Sequence, residues 1–139
     1  KSLFSIFTDK DTFSDRILIL LFHFAFFLRA YKNNTDKEYL QKFFDYFFRQ
    51  IELSLREIGY GDVSVNKKMK DYINLFYSIL LNIEKWDDLD KLKKVQMLSN
   101  LMNIKEDSDF IINYFDKYSN FLINNSLKLF TKDILKLKF

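Results

Sequence analysis

Gly59 and Gly61 are the only two glycines in this chain, and it contains no proline. Nothing constrains its folding more. A backbone without proline, and with freedom concentrated in one place, is free to run helical almost everywhere and to turn sharply almost nowhere. Both glycines fall in Leu55-Arg56-Glu57-Ile58-Gly59-Tyr60-Gly61-Asp62-Val63-Ser64-Val65-Asn66-Lys67-Lys68-Met69, between two long helical patterns. Glycine reaches positive φ without steric cost and so suits the residue just past a helix end. The order of residues places one helix end at Ile58, the exit at Gly59 and Gly61, and the cap of the next helix at Ser64 or Asn66.

Apolar spacing on either side is helical. From Ile17 to Leu28 every residue is apolar except His23. That run is shorter than the roughly 20 apolar residues of a membrane span and suits a central core helix covered on nearly all sides. Asn33-Asn34-Thr35-Asp36 breaks the pattern and offers caps. Leu40, Phe43, Phe44, Phe47, Phe48, Ile51, Leu55 and Ile58 then recur at spacings of three and four, the mark of a helix with one apolar face. Beyond the glycines, Met69, Ile73, Phe76, Leu80 and Ile83 predict a third helix to about Trp86. Asp87-Asp88 is expected to open a shorter fourth, with Leu89, Leu92, Val95, Leu98 and Leu101 as its face. Phe110, Ile111, Tyr114, Phe115, Tyr118, Phe121 and Leu122 form the face of a fifth. The segment Ser126 to Phe139 alternates Leu127, Phe130, Ile134 and Leu137 with Lys128, Lys132 and Lys136. It is expected to dock on the core or to touch an anionic membrane surface. No strand-like alternation persists and no internal repeat is visible. The expected fold is all-α, a single-domain bundle of about five to seven helices over residues 1–139.

Catalytic chemistry is hard to find in these residues. The chain has no cysteine and one histidine, which removes thiol nucleophiles, disulfides and any His/Cys metal set. His23 stands in an apolar run and reads as a satisfied core residue rather than a catalyst. Gly59-Tyr60-Gly61 lacks a third glycine and follows a helix, so it is no phosphate loop. Acidic pairs lie at predicted helix starts, where carboxylates stabilise free amides. A net charge of +3, from 22 basic and 19 acidic side chains, is too even to mark a nucleic-acid binder. No catalytic residue, metal site or cofactor is expected, and the physics favours a binding or assembly protein.

The order around the glycines resembles the signature of the ubiquinol–cytochrome c chaperone family, Leu-Arg-Glu-(apolar)-Gly-X-Gly-Asp-X-X-Val-X-Lys-X-Met. Leu55, Arg56, Glu57, Ile58, Gly59, Gly61, Asp62, Val65, Lys67 and Met69 occupy those places, with Lys68 between the last two. Upstream, Asp11-Thr12-Phe13-Ser14-Asp15-Arg16 is similar to the family's Asp-Thr-(apolar)-X-X-Arg opening of its first core helix. Downstream, Phe76-Tyr77 match, but Ser78-Ile79 stand where the family has Gly-Arg, so a role of that Arg does not carry over. The likeness covers roughly residues 11–100 and leaves residues 108–139 poorly matched.

The resemblance implies an assembly chaperone of respiratory complex III that binds newly made cytochrome b without catalysing a reaction. It implies a peripheral place at the cytoplasmic face of the bacterial inner membrane, or at the matrix side in a mitochondrion. It brings in a small partner assembly subunit or the ribosome as further partners. Arg56, Glu57, Tyr60, Asp62, Lys67 and Lys68 are then the candidate client contacts, charges around a rigid corner that fix a client's orientation. Gly59, Gly61, Val65 and Met69 are its structural members, with Val65 and Met69 as core contacts. A plainer alternative is that Arg56 and Asp62 pair with each other and merely lock the corner. Other readings are a Bcl-2-like helix-in-groove module, a bundle with an apolar pocket near His23, and an RNA contact through Lys67, Lys68, Lys70 and the tail lysines.

Overall fold

The unbroken apolar run becomes α1, Phe13–Tyr31, in a computed structural model that describes residues 13–33, 35–102 and 108–124. Ile17, Ile19, Leu21, Phe22, Phe24, Ala25, Phe26, Phe27 and Tyr31 are all buried along it. Burial on successive residues means that neighbours approach from several sides, as expected for a central helix. Leu20 is the exception and faces solvent.

α2, Lys37–Ile58, starts at Asp36, whose Oδ1 accepts from the Glu38 amide at 2.9 Å. α3, Asp62–Ile83, folds back along α2 as a helical hairpin, so that Phe44 and Phe48 meet Phe76 with ring centroids 5.8 and 5.5 Å apart. Against this hairpin lies α1, with Phe24 stacked on Phe47 at 4.1 Å and on Phe76 at 5.2 Å. On the other side of α1 runs α5, Ser108–Asn124, where Phe115 packs on Phe22 and Phe26 at 5.6 and 5.0 Å. α4, Lys91–Leu101, leans on α5 and supplies Met97 and Leu98 to the same core. Aromatic pairs contribute about 0.5–1.5 kcal/mol beyond the area they bury, which gives the phenylalanine-rich composition a use in packing. The described residues form an all-α bundle of five helices around one core.

The junction of α3 and α4 differs from its sequence pattern. α3 ends at Ile83, and Trp86–Asp88 forms a 3₁₀ turn. Arg29 Nε donates to the Glu84 carbonyl at 3.3 Å, which is the acceptor a continuing helix would offer to the Asp88 amide. The Asp88 amide turns to the Lys85 carbonyl instead, at 3.0 Å. The expected opening of the fourth helix at Asp87-Asp88 is therefore wrong. Asp90 is its cap, with Oδ1 accepting from the Lys93 amide at 2.9 Å, while Asp87 accepts from Arg29. Leu92, expected on the inner face, lies in the first turn of α4 and is exposed. The segments Lys1–Thr12 and Ser126–Phe139 lie outside the described residues, and the docking expected of the tail with them. Among the described residues no helix is long and apolar enough to cross a membrane.

Candidate functional site

α2 ends in a hydrogen-bond pattern that only a left-handed residue permits. Gly59 has φ 111°, its amide donates to the Arg56 carbonyl at 3.0 Å, and the Tyr60 amide donates to the Leu55 carbonyl at 3.3 Å. These are the two bonds of a Schellman motif, which satisfies the last carbonyls of the helix. Gly61 behaves differently. Its φ of −76° and ψ of 168° are open to any residue, and a Cβ there would meet nothing within 4 Å. It serves as the cap of α3, accepting from the Val65 amide at 2.9 Å. The expectation of a cap at Ser64 or Asn66 is corrected: both lie inside α3, which begins at Asp62. The extended backbone at Gly61 already starts the helix, and the Asp62 carboxylate sits in its first turn, where the free amides favour negative charge.

Charge closes the corner. Arg56 Nη1 donates to Asp62 Oδ1 across the glycines, and Nη2 reaches Glu52 Oε1 at 3.2 Å along α2. Asp62 first, and Glu52 second, raise the guanidinium's pKa above its ordinary range. The ammonium of Lys68 stands 4.8 Å from the centre of the Tyr60 ring, a cation–π contact that ties α3 back to the turn. Val65 is fully buried and Met69 packs against the core. Glu57 and Lys67 are exposed and make no ion pair among the described residues. Of the six candidate contacts, then, Arg56 pairs with Asp62 and Tyr60 with Lys68, while Glu57 and Lys67 point outward.

Sequence reasoning named Tyr60 but missed the aliphatic part of this surface. Ile58 is 54% exposed and Val63 85%, on either side of the capped turn, with Tyr60 between them also exposed. Its spacing counts Ile58 with the buried face of α2, but the helix ends there and the side chain is exposed. An aliphatic side chain as exposed as Val63, three residues from Tyr60 and five from Ile58, is the signal that the pattern of spacings hides. What results is a rigid exposed corner with three apolar side chains and six charged ones, Arg56, Glu57, Asp62, Lys67, Lys68 and Lys70.

A second set of polar contacts lies on the far side of α1. His23 Nδ1 donates to the Ile19 carbonyl at 2.8 Å, and Nε2 is 2.6 Å from Tyr114 Oη. Burial lowers the pKa of His23 and raises that of Tyr114, and it pushes Tyr118 up strongly, so all three stay neutral. The Phe115 and Tyr118 rings pack around the imidazole, with centroids 5.3 and 5.0 Å away. His23 is thus a partly buried residue whose two ring nitrogens are both hydrogen-bonded. Among the described residues no three His, Cys, Asp or Glu side chains gather as a metal-binding group.

Fold and corner together define an all-helical bundle with a capped, exposed corner between α2 and α3. The family model for ubiquinol-cytochrome C chaperones matches residues 5–93, and this chain belongs to that family. The match takes in α1, the whole hairpin and the corner, and it ends at the start of α4. No curated protein and no solved structure matches the chain. At the position of the family's Gly-Arg, Ile79 is fully buried in the core.

Proposed function

We propose that this protein is an assembly chaperone of complex III that binds newly made cytochrome b through the glycine corner. Membership of the chaperone family supports the role. The observation that carries the site is the exposure of Ile58, Tyr60 and Val63 on a turn fixed by two backbone bonds and an ion pair. A pre-ordered apolar surface loses little entropy on binding, and surrounding charges set orientation and exclude wrong partners. Arg56, Glu57, Asp62, Lys67 and Lys68 supply those charges in both signs. Gly59, Gly61, Val65 and Met69 hold them in place. In this reading the protein carries out no reaction and needs no cofactor, and residues 1–139 act as one domain. It works peripherally at the cytoplasmic face of the inner membrane, or at the matrix side in a mitochondrion. A small assembly subunit or the ribosome joins it there, and the basic segment Ser126 to Phe139 adds contact with the membrane surface.

The test is recovery of cytochrome b by the tagged protein from detergent-solubilised membranes that are synthesising it. Val63→Asp is the informative variant, because so exposed a side chain contributes little to folding. Circular dichroism unchanged and recovery reduced about tenfold or more, the loss expected for one buried valine contact, support the corner. Recovery unchanged in both Val63→Asp and Asp62→Lys moves the client surface elsewhere. No cytochrome b with the unmodified protein overturns the choice of client.

A further inference from the structure

A cavity of about 510 Å³ opens where the end of α1 and the first half of α2 meet the last two turns of α3. It lies within the range of about 300–1,000 Å³ usual for small-molecule sites. Its interior is apolar, with Leu28, Leu40, Phe44, Phe76 and Leu80 in the lining. Phe76 is fully buried and belongs to the core, so the base is packed protein rather than a gap between loose helices.

Its lining is charged in one sense only. Lys32 and Lys37 line it, and among the described residues no carboxylate does. Neighbouring acids are engaged elsewhere or loosely. Glu38 turns to Lys42 at 3.6 Å, and Glu84 reaches Lys32 only at 3.8 Å, with both side chains about half exposed. Two ammonium groups beside an apolar cavity complement a ligand with one anionic end and one long hydrocarbon end. A small anion would leave the apolar lining wet, and a neutral hydrocarbon would leave Lys37 unanswered and Lys32 with only its loose pair to Glu84.

We propose that this cavity binds a free long-chain fatty acid, its alkyl chain against Leu40, Phe44 and Leu80 and its carboxylate between Lys32 and Lys37. The site is separate from the glycine corner, shares no residue with it, and does not depend on the identity of the client. The ligand places a carboxylate at the junction of α1 and α2 and covers the open side of Tyr77, which is 55% exposed.

The full chain, freed of lipid, is titrated calorimetrically with dodecanoate, tetradecanoate and dodecanol below their aggregation limits. The expected result is one site per chain, with affinity rising up to about fourfold per added methylene, as transfer of that group from water gives. Dodecanoate binds at least tenfold more tightly than dodecanol, and the Lys32→Glu, Lys37→Glu double variant removes that advantage. Both lysines are surface residues, so the variant retains its fold, which circular dichroism checks. Equal affinity for dodecanol and dodecanoate, or an unchanged dodecanoate affinity in the double variant, overturns the proposal. So does binding seen only with anionic phospholipid vesicles, which would make this a membrane face. Saturation by an acidic amphipathic peptide with dodecanoate inert would reassign the cavity to a polypeptide and overturn it as well.

Discussion

His23 and Tyr114 stand 91 residues apart in the chain and share a hydrogen bond of 2.6 Å whose direction is fixed by the other side of the imidazole. Nδ1 faces the carbonyl oxygen of Ile19, which can only accept, so Nδ1 carries the proton. In the neutral ring Nε2 is then an acceptor, and Tyr114 donates to it. The bond joins α1 to α5, and it exists in this form only while the histidine is uncharged.

Acid should therefore loosen the contact between α1 and α5. Burial depresses the pKa of His23 in the folded protein, so below the ordinary imidazole range the unfolded chain binds the extra proton more readily. The stability that this group contributes is complete above pH of about 6.5 and is lost as pH falls through its folded pKa, at no more than about 1.4 kcal/mol per pH unit. Urea unfolding of the protein and of His23→Gln at pH 7.5 and pH 5 measures it. The difference between the two proteins should shrink at the lower pH, since glutamine does not titrate.

The two glycines should respond differently to substitution. Gly59→Ala forces a Cβ into the left-handed region and is expected to cost about 1–2 kcal/mol. Gly61→Ser keeps an allowed backbone and adds a hydroxyl at the cap of α3, so its stability should stay equal or rise by a few tenths of a kcal/mol. Equilibrium unfolding in urea separates the pair. Equal losses at both positions would show that Gly61 too needs a conformation closed to other residues.

Arg29 and Arg56 look alike in sequence, each at the end of a helix, but they should differ in weight. Arg29 is largely buried and donates to Asp87 Oδ2 at 2.5 Å, to Ser119 Oγ at 3.3 Å and to the Glu84 carbonyl, holding α1, the end of α3 and α5 together. Arg29→Ala should cost about 2 kcal/mol, as for loss of hydrogen bonds to a charged group. Arg56→Ala removes two exposed pairs, to Asp62 and Glu52, and should leave the thermal midpoint nearly unchanged. Differential scanning calorimetry decides between them.

Trp86 is the only tryptophan and is fully buried, with Nε1 donating to Asp116 Oδ1 at 2.7 Å and Lys94 lying 4.7 Å over its ring. Trp86→Ala should cost about 3–5 kcal/mol, the usual loss for a large aromatic in a core. Trp86→Phe keeps the packing on Phe26 and should cost less, with the Asp116 bond as the main loss. Unfolding followed by circular dichroism compares the two.

Five helices and the turn at Gly59 were legible because their signals are local. The run from Ile17 to Leu28, the spacing of Leu40 to Leu55 and the lone pair of glycines each act within one or two helical turns. What the sequence concealed depends on distant partners. Asp87 reads as a helix start until Arg29, 58 residues earlier, is seen to take its carboxylate. Asp90, the real cap, carries no stronger local mark than its neighbours. Val63 looks like a core residue by type, and only the place where α3 begins leaves it outside. Of the candidate corner, the charges were visible from their order, while the exposed aliphatic side chains and the cavity beside Lys32 were not.

The central position of α1 has a cost during synthesis. It is made before every helix that covers it, and its α5 partner begins only at Ser108. At about 5–20 residues per second, some 4–15 s pass between the emergence of Tyr31 and that of Ser108. Until Ser108 emerges, the face of this phenylalanine-rich helix that α5 covers has no shelter, and two nascent copies of it have every reason to stick to each other there. Yield of this protein in a cell should accordingly depend on translation speed and on helper capacity more than its folded stability would suggest.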